Sequence, residues 1–199
     1  MFNGLLEDLV VNLKKLPGIG SKTAQRLAIH LISKEKTDAM NLADSIKDAV
    51  QSYKNCSSCN MLSETEPCKF CSDVTRLSNV ICVVENTQDA YLIEDLHEFR
   101  GKYFVLNELL SPLDGIGPDE ISFPKLEKII NSGEINEIIL ALNPSAEGES
   151  TINFLAAQFE DKNVKITRLS TGLPFGGDIE YTSSLTLSNA FKRRYSVTE

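Results

Sequence analysis

Four cysteines constrain this chain more than any other feature: Cys56-Ser-Ser-Cys59, then residues 60–67, then Cys68-Lys-Phe-Cys71. Each C-x2-C knuckle turns tightly enough to aim two thiolates at one point, and two knuckles a short loop apart complete a tetrahedron. The spacing predicts one structural zinc per chain, held by Cys56, Cys59, Cys68 and Cys71. Such a closed site leaves no position open for substrate, so it predicts architecture rather than chemistry. The loop from Asn60 to Pro67 is polar, shows no core of its own, and is expected to fold only around the metal. Two disulfides are the competing reading. They would leave Cys82 odd, and the N-terminal residues lack the charged-then-apolar pattern of an export signal, so a reducing cytoplasm is expected.

Charge narrows the partners. The net charge is -8, which argues against a chain that binds nucleic acid indiscriminately. From Met1 to Lys36, however, six basic residues (Lys14, Lys15, Lys22, Arg26, Lys34, Lys36) face three acidic ones (Glu7, Asp8, Glu35). That stretch carries +3 and the rest -11. Lys192-Arg193-Arg194 forms a second basic spot. Any nucleic-acid surface should therefore be local, although solvated helix faces account for each charge singly. No apolar run is long enough to span a membrane.

Along the chain, Leu5, Leu6, Leu9, Val10, Leu13 and Leu16 recur at helical spacing. Pro17-Gly18-Ile19-Gly20 breaks that helix. Gly20 or Ser21 can cap a second, with Ala24, Leu27, Ala28, Leu31 and Ile32 on its apolar face. A third helix is expected from Asp38 to Tyr53. From Asn79 the texture changes to strands of continuous apolar residues alternating with helices. Strands are predicted at 80–84, 103–106, 137–142 and 164–169, with helices at 89–99, 124–131 and 149–159, the pattern of a parallel α/β sheet. Residues 111–118 read as a long turn-rich loop. The tail holds a glycine turn from Gly172 to Gly177 and a final helix over 185–194. The expected division is 1–54 helical, 55–78 zinc module, 79–170 α/β domain and 171–199 tail.

Two places carry possible chemistry. In the first, Gly18 and Gly20 would let backbone approach a phosphate, the following helix start offers N–H groups to an anion, and Lys22 and Arg26 lie one turn apart on its polar side. A tight helix-to-helix turn with no ligand is the plainer alternative. Leu16-Pro17-Gly18-Ile19-Gly20 resembles the helix-hairpin-helix DNA-binding motif. In the second, Glu85 follows the first strand of the sheet, Asp89 lies four residues on, and the third strand ends in Asn143-Pro144-Ser145-Ala146-Glu147-Gly148, at the strand ends where open α/β sheets bind ligands. This arrangement resembles the Toprim domain of topoisomerases and primases, in which a glutamate and an Asp-x-Asp hold magnesium. Here Asn143 and Ser145 stand at the Asp-x-Asp positions, leaving Glu85 and Glu147. His30 and His97 read as helix-surface residues.

The order of motifs resembles the RecR family of bacterial recombination mediators over nearly the whole chain. The similarity rests on residues 16–31, Cys56 to Cys71, Phe99-Arg100-Gly101, Ser111 to Pro118, Asn143 to Thr151, and Gly172-Leu173-Pro174-Phe175-Gly176-Gly177-Asp178-Ile179-Glu180-Tyr181. The chain departs from the family pattern at Arg76-Leu77 (usually Arg-Asp), at Ser170-Thr171-Gly172 (usually Ala-Arg-Gly), and at Ser183 and Ser184, where the family has an acid. The resemblance implies a non-enzymatic, ring-shaped homotetramer that clamps single- and double-stranded DNA in the bacterial cytoplasm, associated with the nucleoid. It would act with RecO and RecF to load RecA on single strands coated with SSB protein. It implies DNA contacts at Gly18, Gly20, Lys22 and Arg26, and partner docking at Glu85 and Glu147. A metal-dependent Toprim nuclease or primase-like enzyme is the alternative.

Overall fold

The computed structural model describes residues 2–33, 36–170, 172–173 and 175–196; Lys34, Glu35, Thr171 and Pro174, named above, lie outside them. The chain divides into two compact units, residues 1–53 and 54–199.

In the first unit, α1 (Leu5–Leu13), α2 (Ser21–Ser33) and α3 (Lys36–Ser52) follow the predicted pattern closely. Val10, Ala24 and Ala28 are buried, with Leu6, Leu9, Leu13 and Ile19 packed around them. Small alanines at 24 and 28 let the helix backbones approach. Three expected core positions fail: Leu5, Leu16 and Ile32 are exposed; Leu5 opens α1, Leu16 lies in the turn beyond its end at Leu13, and Ile32 is in the last turn of α2. The Gly20 carbonyl accepts the first intrahelical bond of α2 from the Ala24 N–H at 2.9 Å, so Gly20 rather than Ser21 is the capping residue.

The second unit is built on a four-stranded parallel sheet in the order β4-β3-β5-β6: β3 Leu77–Val84, β4 Gly101–Val105, β5 Glu137–Ala141 and β6 Lys165–Arg168. All four predicted strands are present. The helices are α5 (Thr87–Glu94), α6 (Phe123–Asn131) and α7 (Ala146–Gln158), with a tail helix α8 (Ser184–Lys192). The α5 helix ends five residues short of its expected limit. His97 consequently lies beyond it, exposed and left-handed at φ 57, and the expectation of a helix-surface histidine holds only for His30.

Side chains alternate across the sheet with period two. On one face Ile81, Val83, Phe104, Ile138 and Leu140 pack against Leu126 and Ile130 of α6 and Ile152 and Leu155 of α7. On the other, Cys82, Val84, Tyr103, Val105 and Ala141 pack against Ala90 of α5 and against Cys56, Cys59, Met61, Cys68 and Phe70. The cysteine-rich segment is therefore a covering layer of the sheet. It contains two small paired strands, β1 (Lys54–Asn55) and β2 (Leu62–Ser63), and one short helix, α4 (Lys69–Ser72). The expectation that residues 60–67 fold only around the metal is corrected here: Met61, 1% exposed, and Asn60, 7% exposed, are buried against the sheet.

Candidate functional site

The four knuckle cysteines converge. Their sulfurs all lie within 4.8 Å of one another, with Cys59–Cys68 at 3.5 Å and Cys56–Cys71 at 4.0 Å. A tetrahedron with metal–sulfur bonds of about 2.3 Å has edges of about 3.8 Å, whereas a disulfide needs about 2.05 Å. All five cysteines are free thiols. The donor set fits one structural zinc, and the disulfide alternative falls. Among the described residues this is the one such cluster of potential metal ligands.

The backbone prepares the geometry. Cys56 N–H donates to the Met61 carbonyl at 2.8 Å, and Asn60 N–H donates to the Cys56 carbonyl at 2.9 Å, closing the first knuckle. In the second, the N–H groups of Cys71 and Ser72 donate to the Cys68 carbonyl. The Cys68 N–H points at the Cys56 sulfur, 3.5 Å away. Glu66 accepts from the N–H and hydroxyl of Ser57, at 3.0 and 2.6 Å, and these bonds hold its carboxyl below the usual range. Crowding sets the thiols apart. The hydrogen bond to Cys71, then burial, pushes Cys59 well up. Hydrogen bonds, the one from Cys59 foremost, and the nearby Lys102 charge hold Cys71 down to about 6.

Several residues passed over in the sequence tie this module to the sheet. Asn60, left-handed at φ 61, donates from Nδ2 to the Val105 carbonyl at 3.0 Å and accepts from Lys125 Nζ at 2.6 Å. Arg76 is buried, with its guanidinium paired to Glu94 and its Nε donating to the Gly101 carbonyl at 3.0 Å. The Tyr103 hydroxyl donates to the same Glu94 at 2.9 Å. At the adjacent departure from the family pattern, Leu77 opens β3 and donates its N–H to the Arg100 carbonyl. Cys82 is buried under the module, which pushes its thiol up to about 12.

The strand-end residues lie at the C-terminal edge of the sheet, where Val84 and Ala141 are register partners. Asn143 Nδ2 donates to Glu85 at 3.0 Å. Ser145 caps α7, its hydroxyl accepting from the Gly148 N–H at 3.0 Å. Gly148 is required: a Cβ there would sit 1.9 Å from the Asn143 carbonyl oxygen. Asn143 and Ser145 thus both have local structural jobs. Glu147 is exposed on the first turn of α7. Nearby, Glu149 and Arg168 form a bidentate pair at 2.9 and 2.6 Å beside a cavity of about 820 Å³ reaching Leu185 and Asn189 of α8. Ser183, a departure position, caps α8 by accepting from the Thr186 N–H at 3.1 Å.

In the first unit, Gly18 is left-handed at φ 75, a conformation that glycine adopts at little cost. A Cβ on Gly20 would meet nothing within 4 Å, so the unit's own packing does not demand glycine there. Lys22 and Arg26 are exposed on α2.

Three family models match in series. Residues 6–50 match the model described as RecR, helix-hairpin-helix; residues 53–73 match the four-cysteine zinc finger domain of RecR; and residues 79–170 match the Toprim domain. The chain is 41% identical over 194 residues to Recombination protein RecR of Halorhodospira halophila, covering 98% of this chain and 96% of that one. Against the protein of the same name from Streptomyces coelicolor the figures are 41% over 194 residues, 98% and 98%. For that of Francisella philomiragia they are 43% over 197 residues, 99% and 98%.

Proposed function

Because the chain belongs to the RecR family, we propose that it is a non-enzymatic, DNA-binding mediator of recombinational repair. DNA is gripped at the turn before α2. The backbone of Gly18 and Gly20 approaches the phosphates, the first N–H groups of α2 face them, and Lys22 and Arg26 neutralise neighbouring charges. The observation that carries this reading is the turn itself. It combines a left-handed Gly18, a Gly20 that packing does not require, and two exposed cations on the following helix. Backbone contacts of this kind bind without reading sequence.

The strand-end site serves docking rather than catalysis. Magnesium takes hard oxygen ligands and is anchored to a protein by one or two carboxylates. Asn143 and Ser145 are neutral, and their side chains are engaged with Glu85 and the start of α7. Glu85 and Glu147 remain as an acidic surface for a partner. In this reading the protein assembles as a ring-shaped homotetramer and works in the cytoplasm with RecO and RecF to load RecA on SSB-coated single strands. Four copies of a locally basic unit would gather positive potential in the ring while the exterior stays acidic. The fourfold division at 1–54, 55–78, 79–170 and 171–199 belongs to the same reading, with the zinc module as a brace for the docking domain.

The test pairs binding with cutting. Purified protein should retard single- and double-stranded DNA in a gel, and should neither nick a supercoiled plasmid nor synthesise primers with magnesium present. Magnesium-dependent cleavage or synthesis that disappears in Glu85→Ala would establish the enzymatic alternative instead. For docking, Glu147→Lys should weaken RecO binding and leave DNA affinity equal or higher. Undiminished RecO affinity would move the docking surface elsewhere.

A further inference from the structure

Each knuckle is held by one lysine from the sheet domain. Lys102, on β4, donates from Nζ to the carbonyls of Phe70, Cys71 and Asp73, at 2.9, 3.2 and 2.8 Å. Lys125, on α6, donates to the Cys56 carbonyl at 3.1 Å and to Asn60 Oδ1 at 2.6 Å. Both residues are half-buried, in elements that flank the metal module. Each ammonium ends on the backbone of a metal-binding cysteine, Cys71 in one case and Cys56 in the other.

Charge makes this placement more than a tether. Four thiolates around one Zn2+ leave a net charge of about -2, in a site buried against the sheet. Burying uncompensated charge is costly. The module's own lysines, Lys54 and Lys69, are exposed to solvent, and Lys69 lies over the Phe70 and Tyr91 rings at 4.9 and 4.6 Å. Arg76 is consumed by Glu94. Asp73 is held by Thr75. Glu66 brings a further negative charge 3.8 Å from the Cys56 sulfur. Lys102 and Lys125 differ from Lys54 and Lys69 in being half-buried and hydrogen-bonded to the backbone of the metal-binding cysteines, which places them to offset the cluster.

We propose that Lys102 and Lys125 are the charge partners of the zinc–thiolate cluster, one per knuckle, and that they keep the metal from being released and the thiolates from reacting. The proposal rests on the zinc assignment and goes beyond it, since the metal ligands alone do not specify what neutralises them. Outer-shell partners of metal sites are worth about 10- to 100-fold in metal affinity.

The experiment measures zinc transfer from native, full-length protein to a colorimetric chelator at fixed pH and salt, with metal content determined first. Lys102→Met and Lys125→Met should each release zinc about 10-fold faster or more. Lys102→Arg and Lys125→Arg, which keep charge and donors, should stay near the parental rate. Lys165→Met, on the far β6 strand, should change nothing. A second-site change separates charge from mere tethering. Adding Glu66→Gln to Lys125→Met removes one negative charge and keeps the amide oxygen as an acceptor for Ser57, so it should restore slow release. The proposal is overturned if the methionine variants release at the parental rate, or if Glu66→Gln gives no rescue. Should the methionine variants fail to fold, Lys125→Gln with and without Glu66→Gln decides in the same way. Parental protein lacking zinc would overturn the zinc assignment and this proposal together, whereas zinc-loaded parent with indifferent lysines overturns this proposal alone.

Discussion

Replacing Asn60 should expose how the metal module is joined to the sheet. The residue is 7% exposed and its side chain makes two bonds: Nδ2 to the Val105 carbonyl at 3.0 Å, and Oδ1 from the Lys125 ammonium at 2.6 Å. Losing the neutral bond costs about 1 kcal/mol, and losing the charge-assisted one about 1.5 kcal/mol or more. Lys125 keeps its bond to the Cys56 carbonyl, which holds the second figure to the low end. The residue is also left-handed at φ 61, which alanine tolerates less well than asparagine, by about 1 kcal/mol. Asn60→Ala should therefore destabilise the protein by about 3–4 kcal/mol. Asn60→Gly loses the same bonds without the backbone strain, and should be less damaging than alanine by about 1 kcal/mol. The assay is urea unfolding at a buffered free-zinc concentration, because metal bound only by the folded state adds to apparent stability. Parental stability in Asn60→Gly would refute the hydrogen-bond account. Equal losses for glycine and alanine would refute the backbone one.

Other changes should act locally. Gly148→Ala forces a Cβ against the Asn143 carbonyl, so thermal melts should show a loss of at least about 2 kcal/mol, and the Asn143–Glu85 bond should be disturbed with it. The Arg168 hydrogen bond holds the Glu149 carboxyl below its ordinary value, so the pair stabilises the fold above the unfolded-state pKa and loses its effect as pH falls through the lower folded value. Glu149→Gln should accordingly cost up to about 1 kcal/mol near pH 7, a modest figure for a partly exposed pair. The deficit should shrink in unfolding titrations carried below about pH 4. Burial raises the Cys82 thiol to about 12. Mass spectrometry after alkylation of native protein at pH 8 should find Cys82 unmodified, and modified once the protein is denatured.

Much of this was legible in the sequence because it follows from short-range rules. The knuckle spacing specifies a tetrahedral sulfur cluster, and apolar runs of strand length bounded by helices specify the parallel sheet. Asn143 and Ser145 could be read as neutral replacements from their position after a strand. What escaped depends on tertiary pairing. Residues 60–67 look polar and coreless, yet Met61 is buried and Asn60 is engaged because the sheet supplies Val105 and α6 supplies Lys125. Lys102, Lys125, Arg76 and Glu94 look like solvated charges, and nothing in their spacing announces partners 9 to 69 residues away. The left-handed stop at His97 had no glycine to signal it. Leu5, Leu16 and Ile32 were overread because spacing alone does not mark helix ends: Leu5 opens α1, Leu16 follows its end at Leu13, and Ile32 is in the last turn of α2.

The central claim is that the glycine turn before α2 grips DNA phosphates, and a salt series tests it most directly. Binding of single- and double-stranded DNA would be measured from low to moderate salt for the parent and for Lys22→Glu combined with Arg26→Glu, with zinc content and oligomeric state matched. Exposed helix substitutions should leave the fold intact. The account predicts that the parent's affinity falls steeply with salt and is indifferent to base sequence. It predicts that the double variant loses nearly all binding, with its log–log slope reduced by about one unit for each phosphate that is no longer neutralised. Equal affinity and equal slope in the two proteins would contradict it, and would make the turn a structural link between helices.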